Sequence, residues 1–231
     1  MFITLHNRAR NRDLNIYMNS VRLKRTKSIK FLGVHIDEVL SWEAHISHIA
    51  SKISKSIGII RKARDKLPRA TCINLYNSLI MPYFSYCHTV WGCACKTRLQ
   101  RLNLLQKRAV RAITHSRYLA HSQPLLASCR LMPFFNFYNY FCGIILYKIL
   151  NNSAPITFTS QFNLSFISMR RNPPRVHQHR HLHVPHFRTS TGQLSLCYSL
   201  PKLHNEFVAP LGLLESSSFS GFRRELFNVL M

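Results

Sequence analysis

The chain has 231 residues and a formal net charge of +24, from 32 lysines and arginines against 8 acidic residues. This imbalance indicates a polyanionic partner, because binding a polyanion relieves the self-repulsion of so basic a chain. Hydrophobic residues make up 46% of the sequence, which excludes a disordered basic tail and suffices for a core in one or two small domains.

Residues 1–36 are typical of short strands, in which apolar and polar residues roughly alternate. The segments are MFITL, then LNIYMNSVRL with a turn at Asn19–Ser20, then IKFLGVHI, and together they predict a three-stranded sheet. A sheet this small leaves open edges, so we expect self-association through the exposed N-terminal strands. A chain starting near Leu40 should therefore be more monomeric than the full chain.

From Trp42 the apolar period becomes helical. One stripe faces inward, and its members are Ile46, Ile49, Ile53, Ile57 and Ile60. The lysines on the opposite side of this helix are Lys52, Lys55 and Lys62. One face of the helix should therefore pack, and the other should face solvent or phosphate.

A second helix is predicted from Arg69, just after Pro68, and Pro82 should end or kink it. Thr97 and Gln100 have the spacing of a capping box and predict the start of a third helix. Its inward residues should be Leu99, Leu102, Leu105, Ala109 and Ile113. Its basic side carries Arg101, Arg108 and Arg111.

These basic helix faces are the candidate nucleic-acid-binding site, because lysine and arginine on a rigid face bind phosphate without reading sequence. The alternative is that the same side chains are merely solvated. We favour phosphate binding and expect the partner to be the backbone of RNA or DNA. The predicted contacts are Lys52, Lys55, Lys62, Arg101, Arg108 and Arg111.

Residues 131–150 form the longest apolar block. Asn136, Asn139 and Gly143 share one helical stripe within it, which favours a buried amphipathic helix over a membrane span. The seven cysteines form no CxxC pair or disulfide-framework spacing, and the N-terminus lacks the apolar segment of a secretory signal. We expect an intracellular protein, in the nucleus or cytoplasm, without a membrane partner.

A histidine-rich segment is the basis of an alternative function. Its histidines could share one side of an extended chain and hold a divalent metal, although residues 169–192 contain no cysteine or acidic ligand. The alternative is therefore a metal-binding interaction protein organised by residues 177–186. The histidines concerned are His177, His179, His181, His183 and His186.

No complete catalytic site is predicted. Asp37 and Glu38 are adjacent on a predicted strand and should point to opposite faces, whereas two-metal catalysis needs carboxylates that converge. The chain contains no Asp-Asp pair, and its other acidic residues are isolated. We expect neither enzymatic activity nor a cofactor, and assign no metal ligand.

Several segments together resemble the reverse transcriptases of non-LTR (LINE-type, jockey-like) retrotransposons. KFLGVHIDEVLSWEAHI resembles the segment after the catalytic palm, and IASKISKSIGIIRKARDKLPRATCINLYNSLIMPYFSYCHTVWG resembles the thumb region. LQRLNLLQKRAVRAIT resembles the next basic helix. RTSTGQLSLCYSLPKLHNEF and SFSGFRRELFNVL resemble the family's C-terminal end, with His204 where the family usually has tryptophan.

The resemblance implies a right-handed polymerase whose palm carries a Phe/Tyr-Ala-Asp-Asp hairpin, which is absent here. The chain would then be a catalytically incomplete thumb and C-terminal fragment. We expect a mainly α fold with a small N-terminal β element (α+β) and a helical thumb-like bundle. The expected domains are palm-strand remnants over 1–40, a thumb-like domain over 41–150, and a basic histidine-rich linker with the C-terminal region over 151–231.

Overall fold

The structure is a computed structural model. It describes residues 15–160, 162, 164, 181–215 and 218–231. The described chain is mainly helical with a small N-terminal β element, which confirms the predicted fold class. Its contacts divide it into two compact units, Met1–Cys129 and Arg130–Met231.

The first of two β hairpins pairs β1 (Tyr17–Met18) with β2 (Val21–Arg22) in antiparallel register. The predicted turn at Asn19 and Ser20 is confirmed, with φ of 49° and 65°. Positive φ at both central residues matches the twist of the flanking strands, so two residues suffice for the connection. All four strand residues are exposed.

The second hairpin pairs β3 (Ser28–Phe31) with β4 (Val34–Asp37) through a turn at Leu32 and Gly33. The prediction of one strand over IKFLGVHI is therefore wrong, and so is the three-stranded sheet. The described strands form two separate two-stranded sheets, while MFITL lies outside the described residues. A two-residue turn keeps the period-two alternation in phase, so the sequence pattern does not reveal it.

Helix α1 (Glu43–Ala63) begins after a short connection from β4. The carboxylate of Asp37 accepts hydrogen bonds from the backbone N–H groups of Ser41 and Trp42, each at 2.8 Å. These bonds shape the turn that starts the helix. The predicted inward stripe is confirmed, with every member at most 4% exposed. Its members are Ile46, Ile49, Ile53, Ile57 and Ile60.

Helix α2 (Arg69–Leu79) follows Pro68 and ends before Pro82, as predicted. It buries Cys72 and Tyr76, and burial raises the pKa of the Tyr76 phenol. The short helices that come next are α3 (Met81–Ser85) and α4 (His88–Trp91).

Helix α5 (Lys96–Ile113) buries the predicted inward residues, and α6 (Ser122–Ser128) completes the first unit. The predicted capping box is wrong. Cys95 occupies the N-cap position, and no side chain caps the helix. Thr97 lies inside the first turn, where its hydroxyl donates to the Cys95 sulfur at 3.6 Å. The spacing of Thr97 and Gln100 matches a capping box, but the helix already starts at Lys96, one residue before Thr97.

The second unit is built mainly from α7 and the C-terminal helices. A single turn of 3-10 helix, Phe134–Asn136, precedes α7, and a π-helical turn, His204–Val208, extends α10. A further 3-10 turn spans Leu213–Glu215. The α-helices are α7 (Phe137–Leu150), α8 (Ile156–Thr159), α9 (Ser190–Gln193), α10 (Leu196–Leu203) and α11 (Phe219–Leu230).

Helix α7 is a buried helix, as predicted. The stripe of Asn136, Asn139 and Gly143 is only partly exposed to solvent. Asn139 is exposed, whereas Gly143 is buried against α11. A Cβ at Gly143 would come within 2.6 Å of Leu226 Cδ2. Gly143 therefore permits close helix packing. Among the described helices, none combines the length and apolar character needed to cross a membrane.

The segment around His204 is held by hydrogen bonds of the neighbouring Asn205. His204 is buried, and its Nδ1 lies 3.2 Å from the Asn205 side-chain oxygen. Asn205 donates to the Leu182 carbonyl at 2.7 Å and accepts from the Leu182 N–H at 2.8 Å. Asn205 thereby fixes the strand-like backbone of Leu182, whose side chain is fully buried.

Candidate nucleic-acid interface

Helices α1 and α5 pack side by side and run in the same direction. Near their N-terminal ends, Arg98 Nε–H donates to Glu43 Oε2 at 2.9 Å, and Arg101 Nη1–H donates to Ser47 Oγ at 3.1 Å. Near their C-terminal ends, arginines from both helices line one cleft. The parallel arrangement therefore brings the basic last turns of both helices to the same end.

We call this cleft the arginine cleft; it has a volume of about 310 Å³. Its lining is Arg61, Arg64, Arg108, Arg111, Ala112, Ser116 and Tyr118. None of these described lining residues is acidic. The nearby Asp65 pairs with Arg64, with 3.5 Å between Oδ1 and Nε. Four guanidinium groups thus share one opening, and that of Arg64 is paired with a carboxylate.

The structure places the six predicted contact residues on different surfaces. Arg108 and Arg111 come together in the arginine cleft, while Arg101 lies nearer the N-terminal ends of the helices. The predicted lysines are exposed on α1 and do not line this cleft; they are Lys52, Lys55 and Lys62. Their binding of phosphate stays a prediction.

Arg61 and Arg64 line the cleft but were not among the predicted contacts. Each lies near the C-terminal end of α1, three positions apart, as Arg108 and Arg111 are in α5. Residues three apart share one face of a helix, so each pair could be recognised from its spacing. The spacing alone does not reveal that the two pairs face each other.

The turn after α5 is held in place by Arg111. Its Nε–H donates to the Ala120 carbonyl at 2.9 Å, and its own carbonyl accepts from the Ser116 N–H at 3.1 Å. Between these anchors lies Tyr118, whose side chain is 70% exposed. The turn therefore presents a largely exposed aromatic ring at the edge of the arginine cleft.

A second cleft, of about 500 Å³, adjoins the first and shares Arg61, Arg108 and Tyr118 with it. We call it the Gly58 cleft. A Cβ at Gly58 would meet no atom within 4 Å, so the glycine leaves open space along α1. The rest of its lining is Ser54, Ile57 and Leu105.

Comparison with curated proteins finds polymerases of mobile elements. A stretch of 124 residues, 52% of this chain, is 23% identical to the "Probable RNA-directed DNA polymerase from transposon X-element" of Drosophila melanogaster. Over 103 residues, 43% of the chain, it is 27% identical to the "RNA-directed DNA polymerase from mobile element jockey" of that species and 28% identical to the protein of that name in Drosophila funebris. Over about half of its length, the chain is similar to jockey-like retrotransposon polymerases.

The retrotransposon relatives are much longer than the matched region. The chain covers 14% of the X-element protein and 11% of each jockey protein. No family model matches the chain. No solved structure matches it significantly.

The adjacent acidic residues Asp37 and Glu38 both have structural partners. Asp37 accepts the backbone bonds that start α1, and Glu38 pairs with Arg25 at 3.6 Å. Both carboxylates therefore contribute to the junction between the second hairpin and the first helix.

Three histidines that the sequence analysis did not group meet where β4 packs on α1. The ring centroids of His35 and His48 are 4.9 Å apart, and those of His35 and His45 are 6.3 Å apart. Burial, followed by repulsion from the other two imidazoles, lowers the pKa of His45 to about 4. His45 is therefore neutral at physiological pH.

The predicted histidine-rich metal segment lies partly outside the described residues, which exclude His177 and His179. Within the described parts of the chain, no group of three or more histidine, cysteine or acidic side chains is placed to hold a metal ion. The metal-binding alternative therefore has no structural support from the residues that are described.

Proposed function

We propose that the chain is the thumb and C-terminal part of a retrotransposon RNA-directed DNA polymerase, and that it binds nucleic-acid backbone without sequence preference. The relationship to the mobile-element polymerases supports the first part. The observation that carries the second is the convergence of four arginines from two parallel helices on one cleft. Guanidinium groups form forked, charge-assisted hydrogen bonds with phosphate oxygens.

Exposed lysines extend the basic surface of α1 beyond the arginine cleft. Lys52, Lys55 and Lys62 are exposed side chains on a rigid helix. Such side chains need only small rotamer changes to reach successive phosphates, and they release counterions when they do so. We propose that these lysines supply general backbone attraction, together with Arg101 near the start of α5.

The test is the salt dependence of binding to a fluorescent DNA strand, measured by anisotropy. The slope of log K against log salt should be negative, by roughly 0.7 to 0.9 per phosphate contact. Changing Lys52, Lys55 and Lys62 to Glu should lower the affinity and make the slope shallower. A matched control changes Lys148, Lys202 and Arg224 to Glu, which alters the net charge equally within the second unit.

An equal loss in both triple variants would mean that net charge alone drives binding and would reject the α1 surface as a site. Unchanged binding by the α1 variant would reject it as well. A wild-type chain that binds neither DNA nor RNA at low salt would refute the proposed function as a whole.

We also propose that the chain is catalytically incomplete. The supporting observation is the absence of any Asp-Asp pair in the sequence, since nucleotidyl transfer needs carboxylates that converge on metal ions. The purified chain should extend no primer on RNA or DNA with Mg²⁺ or Mn²⁺. Template-dependent incorporation above a no-protein control would contradict this.

Self-association through the N-terminal strands is part of the same proposal. The first hairpin exposes Tyr17, Met18 and Val21, each more than 60% accessible to solvent. Short strands with free edges and apolar side chains are templates for pairing with another chain. Light scattering on a chain that lacks the first hairpin tests this contact.

A further inference from the structure

The two adjoining clefts between α1 and α5 differ in chemistry. The arginine cleft is cationic, whereas the Gly58 cleft is partly apolar, with Ile57 and Leu105 in its wall. Their volumes, about 310 and 500 Å³, lie in the range of about 300–1,000 Å³ that is usual for small-molecule sites. Tyr118, Arg61 and Arg108 line both.

We infer that these clefts hold one unpaired nucleotide of a nucleic-acid strand, with its phosphate in the arginine cleft and its base against Tyr118 in the Gly58 cleft. The inference rests on the proposed function and adds to it a preference for single strands over duplex. A nucleotide combines a phosphate, whose oxygens accept forked hydrogen bonds from arginine, with a flat aromatic base. The arginine cleft offers guanidinium groups to the phosphate, and the adjoining Gly58 cleft offers the Tyr118 ring to the base.

The phosphate part of the site rests on the guanidinium groups. An arginine has five N–H donors, and the bond from Arg111 to the Ala120 carbonyl uses one of them. That bond also holds the guanidinium of Arg111 in place before any ligand arrives. A group held in this way loses less side-chain entropy on binding than a mobile one.

The base part of the site rests on Tyr118 and Gly58. Tyr118 is 70% exposed on a turn that is anchored at both ends, so its ring is available for stacking. The absence of a side chain at Gly58 leaves the space beside it open. A base in a continuous duplex is already stacked on its neighbours, so this site favours an unpaired one.

The experiment compares three fluorescent DNA probes of equal length at fixed salt: a single strand, the same strand with abasic sites, and a blunt duplex. The abasic strand keeps the phosphates but lacks the rings. The wild-type chain should bind the strand with bases about 10-fold more tightly than the abasic strand, which is the scale of one stacked base.

Two substitutions should remove this preference, measured as the ratio of the affinity for the strand with bases to the affinity for the abasic strand. Tyr118→Leu removes the aromatic ring, and Gly58→Leu fills the second cleft. Tyr118→Phe keeps the ring and should retain the preference. Ser51→Leu adds the same side chain to α1 at an exposed position about 10 Å along the helix and serves as the matched control.

The outcomes separate this inference from the proposed function. If both leucine variants keep the wild-type preference for the strand with bases, or if the wild type has none, the nucleotide site is refuted even though backbone binding stands. If no probe binds, the proposed function fails first. Far-ultraviolet circular dichroism and urea midpoints confirm that each variant compared is folded, and Gly58→Ala provides a further folded variant at that position.

Discussion

The carboxylate of Asp37 accepts the backbone N–H of Trp42 at 2.8 Å, and Trp42 stands in the left-handed region with φ of 62° immediately before α1. A non-glycine residue in this region is strained and needs support from its surroundings. The same carboxylate accepts from the N–H and the hydroxyl of Ser41 at 2.8 and 3.0 Å. Asp37 therefore couples the end of the second hairpin to the start of the longest described helix.

Replacing Asp37 with Ala should lower the free energy of unfolding by about 2 to 4 kcal/mol, because several charge-assisted bonds are lost and partly buried N–H groups are left unpaired. Urea denaturation followed by circular dichroism measures the effect. Glu43→Gln is the control, since it removes a negative charge from the exposed pair with Arg98 and should cost less than about 1 kcal/mol. Equal losses would contradict the role given to Asp37.

The structure revises the expectation for a chain starting near Leu40, because truncation should yield a stable monomer only when it spares the second hairpin. A chain starting at Arg25 loses the exposed first hairpin but keeps Asp37 and the pair between Arg25 and Glu38. It should be more monomeric by light scattering at high salt than the full chain. A chain starting near Leu40 should be less stable, because it lacks both Asp37 and the buried Val34. If that shorter chain proves the more stable of the two, the second hairpin is dispensable.

The glycines of α1 and α7 should respond in opposite directions to alanine. Gly58→Ala meets no atom within 4 Å and should stabilise the chain by about 0.5 to 1 kcal/mol through the better helix propensity of alanine. Gly143→Ala would push against Leu226 and should destabilise it by about 1 to 3 kcal/mol.

Urea unfolding of both variants tests this pair. Adding Leu226→Ala to Gly143→Ala should cost less than the sum of the two single changes, because the shortened side chain relieves the close contact. Strict additivity would show that the two residues do not press on each other.

Acidification should destabilise the fold through His88. Its Nδ1–H donates to the Phe84 carbonyl at 2.7 Å, and burial lowers its pKa to about 4 even though this bond acts in the opposite direction. In the unfolded chain the pKa is near 6.5, so the unfolded state binds the proton first. The stability is therefore full above pH 6.5 and falls as the pH drops towards 4, by on the order of 3 kcal/mol from this group.

Urea titrations at several pH values between 7.5 and 4.5 measure this dependence. His88→Gln should be less stable at pH 7.5 but should show a shallower loss on acidification than the wild type. His45, whose pKa is also lowered to about 4, contributes in the same direction in both proteins. An unchanged pH slope in His88→Gln would exclude His88 as a source of the acid sensitivity.

Much of the helical structure could be predicted because helical periodicity is a local property. The apolar stripe from Ile46 to Ile60 and the stripe from Leu99 to Ile113 both recur every three or four residues, and both are buried as predicted. Two other local patterns led to wrong predictions, one of a single strand and one of a capping box. The two-residue turn at Leu32 and Gly33 kept the strand alternation in phase, and the spacing of Thr97 and Gln100 resembled a capping box without forming one.

Three properties could be determined from the amino-acid sequence alone: the net charge, the inward faces of α1 and α5, and the resemblance to jockey-like polymerases. A stripe of apolar residues states which side of a helix is buried, but it contains no information about which neighbour covers it or in which direction that neighbour runs. Only the tertiary structure decided that α1 and α5 are parallel. That arrangement brings Arg61 and Arg64 together with Arg108 and Arg111 in one cleft, and Tyr118 and Gly58 together in the adjoining cleft. Side chains distant in sequence meet only when the helices carrying them pack.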